Sequence, residues 1–357
     1  MKKIISLIMT IIMILGLIGC KNNNLNEETV NLYDSKQAIE IAKEYLIKLQ
    51  DGDVEGAKSL CTSQFSANQK ENPLGDFKIQ SFKINKTVEG GNKSSVVFDA
   101  IRGEDNRPNS NLDMYNVYVV KEDDKYKIND LKTQDEVEVY NDQNRLRIKQ
   151  SSQGQSNLLL RLSDVPKEVY NKESGSLEKI ESPAKDFSSA GLSYTGNKVA
   201  YATTDGKDSF VGVLYVKESV GTITPNKGDN IEDSSKGANI TEDLEKSQTE
   251  KMSNFGVLKE CKIERLIFNS LEDELLISYK KLSKGTGLKI FNIESGELSA
   301  LNIENTFPTD KYNIRVIYTS EEDITIKVSL LEGISEAEDG KSGIYIINTK
   351  KATITQK

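Results

Sequence analysis

Three stretches in the C-terminal part of the chain repeat one order of elements, and this repetition restricts the available folds more than any other feature. Gly191 to Thr195 precedes Lys198 to Ala202 and then Gly212 to Val216. Arg265 to Asn269 precedes Glu274 to Ser278 and then Gly287 to Phe291. Arg315 to Thr319 precedes Asp323 to Lys327 and then Gly343 to Ile347. Each unit reads as strand, tight polar turn, strand, longer loop and Gly-led strand. A unit of this size cannot bury its apolar faces alone, so its neighbours must stack on it. An earlier pair, Arg145 to Gln150 and Asn157 to Leu162, is expected to be a fourth, degenerate copy.

The run Ser193-Tyr194-Thr195-Gly196-Asn197-Lys198-Val199-Ala200-Tyr201 resembles the turn between the first two strands of TolB-type β-propeller blades, without the Pro-Asp those blades carry. The resemblance implies a propeller-like all-β domain over residues 137–357. About four units of ~45 to 50 residues lie at the lower limit for closure. The open alternatives are a small closed propeller, an incomplete one, or a twisted sandwich of meanders. Residues 218–251 are polar and aperiodic, and cannot bury enough apolar surface to offset the entropy of ordering them. They are expected to form a mobile surface insertion.

The preceding part has a different pattern. Asp34 or Ser35 can cap a helix on which Ala38, Ile39, Ala42, Tyr45, Leu46 and Leu49 form one apolar stripe, ended by Asp51-Gly52-Asp53. A second helix is expected from Val54 through Leu60 and Cys61 toward Phe65, broken at Pro73-Leu74-Gly75-Asp76. Strands are expected at Phe77 to Lys83 or beyond, Ser95 to Ile101, Tyr115 to Lys121 and Tyr126 to Leu131. The Asp-Gly-Asp step followed by Ala57 to Leu60, together with Asp124-Lys125-Tyr126-Lys127-Ile128-Asn129-Asp130-Leu131, resembles the nuclear-transport-factor-two-like superfamily. That resemblance implies an α+β, cone-like domain over residues 34–136. Enzymes of the superfamily place Asp, His or Tyr at the mouth of the cone. Asp99, Asp113, Tyr115 and Tyr118 are the polar residues near sheet positions here, and they also read as ordinary hairpin-end and half-buried strand residues.

The N-terminus carries its own instruction. Lys2 and Lys3 precede fifteen uncharged positions, Ile4 to Ile18, too short for a comfortable membrane span of ~20 residues and fitting a signal-peptide core. Leu17-Ile18-Gly19-Cys20 then resembles the lipobox of bacterial lipoproteins. The resemblance implies removal of residues 1–19 by cleavage between Gly19 and Cys20, and lipid on the Cys20 sulfur. One acyl chain holds marginally, at ~0.8 kcal/mol per buried methylene, and two hold durably. Residues 20–33 are expected to be a flexible tether. The expected location is the outer face of the cell membrane, through the lipid on Cys20.

Composition excludes several chemistries. The chain has no His, which rules out His-based metal sites and His–Asp or Ser–His catalysis. Without the leader, 45 basic residues face 55 acidic ones, so there is no electrostatic footprint for nucleic acid. Besides Cys20 there are only Cys61 and Cys261, which are expected to be buried free thiols. Glu321-Glu322-Asp323 and Glu336-Ala337-Glu338-Asp339 lack a cation-loop pattern, and Gly285-Thr286-Gly287 lacks the phosphate-loop Lys. No metal, cofactor or catalytic residue is assigned. The expected role is a non-enzymatic binding or regulatory module at the cell envelope, meeting another envelope protein or a cell-wall component. The alternatives are a small-ligand enzyme in residues 34–136 and a solute-binding lipoprotein.

Overall fold

A computed structural model describes residues 33–68, 77–170, 178–217, 245–281, 284–335 and 340–357. Helix α1 (Ser35–Gln50) forms where the apolar stripe predicts it, with Ala38, Ala42, Tyr45, Leu46 and Leu49 buried and Ile39 half-buried. It ends in a Schellman motif. The Gly52 amide donates to Leu49 O (3.1 Å) and the Asp53 amide to Lys48 O (2.9 Å), and Gly52 takes the positive φ of 74° that this cap requires. Asp53 then caps α2 (Val54–Ser59), its Oδ1 accepting from the Gly56 amide at 2.9 Å.

The expected run of helix from Val54 to Phe65 is corrected: it divides into α2 and α3 (Ser63–Asn68). Between them Cys61 bridges to strand residue Ile128. The Thr62 amide donates to Ile128 O, and the Ile128 amide donates to Leu60 O. A segment bonding to a sheet edge cannot also complete helical bonds.

Strands β1 (Lys78–Gly90), β2 (Lys93–Gly103), β3 (Ser110–Glu122), β4 (Lys125–Asp142), β5 (Arg145–Gln150) and β6 (Asn157–Arg161) make one antiparallel sheet in chain order. Asp123 and Asp124 both take positive φ in the β3–β4 turn, and Gln143 and Asn144 do so in the β4–β5 turn, as two-residue hairpin loops demand. Helix α1 packs across β1 to β4. Two expectations change here. The boundary placed between 136 and 137 falls inside β4, and the sheet runs on to Arg161. The pair read as a fourth degenerate repeat is β5 and β6, joined to β4 by the backbone ladder. Alternating apolar residues look alike in either sheet, so periodicity could not say which edge these strands would join.

After a short β7–β8 pair (Glu168–Tyr170 and Lys179–Glu181), three meanders follow. The first contains β9 (Asp186–Leu192), β10 (Lys198–Thr204), β11 (Ser209–Val216) and β12 (Thr249–Leu258). The second contains β13 (Cys261–Phe268), β14 (Glu274–Lys281) and β15 (Thr286–Asn292). The third contains β16 (Tyr312–Thr319), β17 (Ile324–Leu330), β18 (Gly343–Asn348) and β19 (Thr353–Gln356). Each is an antiparallel, blade-like sheet, and the chain is propeller-like and mostly β. Strand β12 corrects the expected insertion at its far end. Thr249 to Lys251 pair with Val216 and Tyr215, and Glu245 already holds Arg147 with two contacts of 2.8 and 2.9 Å. Residues 218–244 lie outside the described residues.

The sheets pack in a cycle. One core joins the six-stranded sheet to the first meander through Leu112, Val139, Leu146, Leu160, Leu192 and Tyr201. A second joins the first and second meanders through Val211, Phe255, Leu266 and Phe291. A third joins the second and third through Leu276, Ile290, Phe307 and Ile326. The third meander then meets the six-stranded sheet where β16 packs on β1, with the Phe82 and Tyr318 rings 5.3 Å apart. The N-terminal sheet therefore supplies the fourth wall of the ring. Strands β9, β13, β16 and β1, each at one end of its sheet's strand order, bring the four sheets together. Backbones come close there: a Cβ on Gly191 of β9 would stand 1.9 Å from Leu266 O of β13.

Candidate functional site

A cleft of about 650 Å³ opens where the α1–α2 turn, β1, the second meander and the third meander converge. The Schellman turn brings Asp51 to its edge. From β16, Arg315 ion-pairs with Asp51, and from β17 its cross-strand neighbour Lys327 reaches Asp51 Oδ2 at 3.2 Å. One carboxylate thus serves two cations. Burial pushes Arg315 below the usual arginine value, with the Asp51 charge opposing this shift and the charge of Arg265 adding to it.

Arg265, on β13, is held from behind. Its Nε and Nη2 donate to Asp105 Oδ1 and Oδ2 at 2.5 and 3.0 Å, a bidentate grip that fixes the guanidinium plane. Asp105 lies in the β2–β3 loop, which the Asn106 amide ties to Glu264 O at 3.2 Å. The third nitrogen, Nη1, is buried and has no hydrogen-bond partner. Lys78, at the start of β1, is exposed at the cleft wall. Glu264 accepts from the Thr286 hydroxyl at 2.9 Å, and Asn313 Oδ1 accepts from the Thr286 amide at 3.0 Å. Gln50 anchors the floor by donating to Gln80 O (3.1 Å) and Ile317 O (3.3 Å).

The lining carries four cations, Lys78, Arg265, Arg315 and Lys327, against two carboxylates, Asp51 and Glu264. With Asp105 behind Arg265 counted, one positive charge remains in surplus. This runs against the net charge of −8 for the whole chain. Such a balance favours the approach of a negative charge over a positive one.

The four polar residues singled out in the sequence lie elsewhere and line none of the described clefts except for Tyr118, which borders a shallow one beside β1 and β2. Asp99 accepts from Asn85 Nδ2 at 2.9 and 3.1 Å, and burial raises its carboxyl. Asp113 is fully buried and ion-pairs with Arg102. Desolvation outweighs that pairing and raises it to about 6. Tyr115 is buried and pushed up by desolvation. The Tyr118 hydroxyl accepts from Asn116 Nδ2 at 2.9 Å. Cys61 and Cys261 are buried and form no disulfide among the described residues, and burial lifts the Cys61 thiol to about 11. Gly19 and Cys20, the residues expected at the cleavage and lipidation site, lie outside the described residues, as does Glu336 to Asp339.

The cleft cations were missed in the sequence because nothing local marks an arginine as cleft-facing. One signal was present. When the three repeats are aligned, Gly191, Arg265 and Arg315 occupy the same first position. The repeat thus places two guanidiniums at corresponding points of the first strands of two successive meanders.

The class these observations define is a propeller-like β protein with a cationic cleft between the α1–α2 turn, β1 and the second and third meanders. No family model and no curated protein sequence matches the chain. Among solved structures it is similar to TolB from Acinetobacter baumannii, with 8% identity over 73% of this chain and 57% of that one and a TM-score of 0.31. It is also similar to a puromycin hydrolase S511A mutant complexed with PGG, with 7% identity over 75% and 45% and a TM-score of 0.30. A third is the β-propeller domain of the Trilobed protease from Pyrococcus furiosus, with 11% identity over 77% and 84% and a TM-score of 0.22. The chain spans about half the length of the first two.

Proposed function

We propose that this chain is an exported lipoprotein, tethered to the outer face of the cell membrane through Cys20, whose folded body is a non-enzymatic binding module with the cationic cleft as its recognition site. The cleft carries the reading: its charged groups are arginine, lysine and carboxylates held largely in ion pairs, which suit recognition of charge. Asp113, the carboxyl whose raised value would suit proton transfer near neutrality, is enclosed away from the cleft by its pairing with Arg102. In the same reading helices α1 to α3 and the six-stranded sheet that ends at Arg161 are a nuclear-transport-factor-two-like element recruited into the ring, and the partner is another envelope protein or a cell-wall component. No described helix is long and apolar enough to cross a membrane.

Replacing Cys20 by Ala moves the protein from the membrane fraction to the soluble one or leaves the uncleaved precursor; unchanged membrane retention of a processed form would sink the anchor. Cross-linking in intact membranes, wild type against Arg315→Glu, recovers a partner that the variant loses. Recovery of nothing above an unrelated lipid-anchored control would sink the binding-module reading.

A further inference from the structure

We propose that the cleft binds an oxyanion, a phosphate or carboxylate group, which takes the place of Asp51 between Arg315 and Lys327 and is also met by Lys78 and Arg265. The proposal rests on the cleft being the recognition site. Four observations carry it. First, Asp51 is shared by two cations, so neither has a carboxylate of its own. Second, Arg265 is oriented by a bidentate carboxylate that uses only two of its three nitrogens, and its Nη1 stays buried without a partner. A buried donor left unmade is costly, and a site that keeps one has a use for it. Third, among the described residues no ion pair or hydrogen bond engages the Lys78 ammonium at the cleft wall. Fourth, the two arginines feel each other's charge, a repulsion that an anion in the cleft relieves.

The group Asp51 presents to Arg315 and Lys327 is itself an oxyanion, so the chain shows which chemistry these side chains accept. Arginine forks match both carboxylate and phosphate oxygens. A volume of about 650 Å³ fits a small molecule or the end of a larger one. Asp51 is therefore a built-in competitor. Removing its charge frees two cations, and removing Lys78 takes away one that serves only the ligand.

The experiment titrates the full chain, purified from membranes in detergent, with pyrophosphate and separately with citrate, by calorimetry at low and high salt. In parallel the soluble form of Cys20→Ala, which has no lipid anchor of its own, is floated with phosphatidylglycerol vesicles, with and without Lys78→Ala. Saturable binding of either small anion is expected, weakened by salt, weakened roughly fivefold or more in Lys78→Ala and tightened several-fold in Asp51→Asn. Lys207→Ala, at the exposed Lys207–Glu260 pair, should leave affinity unchanged. Thermal unfolding of each variant without anion shows that it is folded. Binding of small anions points to a soluble ligand, and flotation that Lys78→Ala abolishes points to a lipid headgroup; both support the site. No binding in any arm, or binding indifferent to both Lys78→Ala and Asp51→Asn, overturns it. Anion binding without a cross-linked partner would retain this site while sinking the envelope-partner reading, and a cross-linked partner without anion binding would do the reverse.

Discussion

The hydroxyl of Tyr194, in the first turn of the first meander, donates a 2.9 Å hydrogen bond to Oγ of Ser81 on β1 and lies 3.3 Å from Oγ1 of Thr319 at the end of β16. Three of the four sheets meet at this one side chain, in full burial. The ring is thus closed by polar contacts between residues 113 and 125 positions apart as well as by apolar packing.

Tyr194→Phe leaves the buried Ser81 and Thr319 hydroxyls short of a partner. Stability should fall by about 1–3 kcal/mol, read as a lower urea midpoint at unchanged slope. A loss below ~0.3 kcal/mol would show that closure does not depend on this contact.

Gly191→Ala forces a methyl group against the Leu266 carbonyl, where 1.9 Å is available. Backbone cannot rotate aside as a side chain can. A loss of about 3 kcal/mol is expected, or failure to fold, whereas alanine at Gly154, which has open space, should be nearly silent. Equal melting temperatures for the two variants would contradict the close approach of β9 and β13.

Glu272 fastens the first meander's turn to the second. It accepts from the Thr195 amide (2.7 Å), the Thr195 hydroxyl (2.8 Å) and Lys198 Nζ (3.1 Å) while itself almost fully buried. Glu272→Ala strands all three donors and should cost about 3 kcal/mol, while Glu272→Gln, which keeps an acceptor, should cost less. Denaturant curves that rank the two variants the other way would rule out this role.

Asp113 gives the fold a pH signature. Its carboxyl is raised from 3.8 to about 6 in the folded state, so the native protein binds its proton more tightly than the unfolded chain. The favourable contribution is complete below pH ~4 and is lost as pH rises through about 6. Two units correspond to about 3 kcal/mol. Asp113→Asn should therefore flatten the decline in stability between pH 4 and 6.5, measured by urea midpoints across that range. An unchanged slope would show that the Arg102 partner holds the carboxyl ionised.

Some of this architecture is written locally. The stripe from Ala38 to Leu49 is periodic in one helix, and the three strand–turn–strand units repeat in order, because period and turn chemistry act over a few residues. Strand β12 was not legible: Thr249 to Lys251 join β11 through backbone bonds, which leave no trace in side-chain polarity. The lipobox resemblance of Leu17-Ile18-Gly19-Cys20, by contrast, rests on four adjacent residues and does not depend on the fold.

The sequence by itself determined that the chain makes repeated antiparallel strands behind a helix, carries Leu17-Ile18-Gly19-Cys20 at its N-terminus, and has no histidine to work with. Only the tertiary structure decided that β5 and β6 extend the first sheet, that this sheet closes the ring, and that Arg265, Arg315, Lys327, Lys78 and Asp51 share one cleft. The reason is physical. A strand's pattern fixes which face it buries, but its neighbours, and the charges gathered where sheets converge, depend on contacts between residues far apart in the chain.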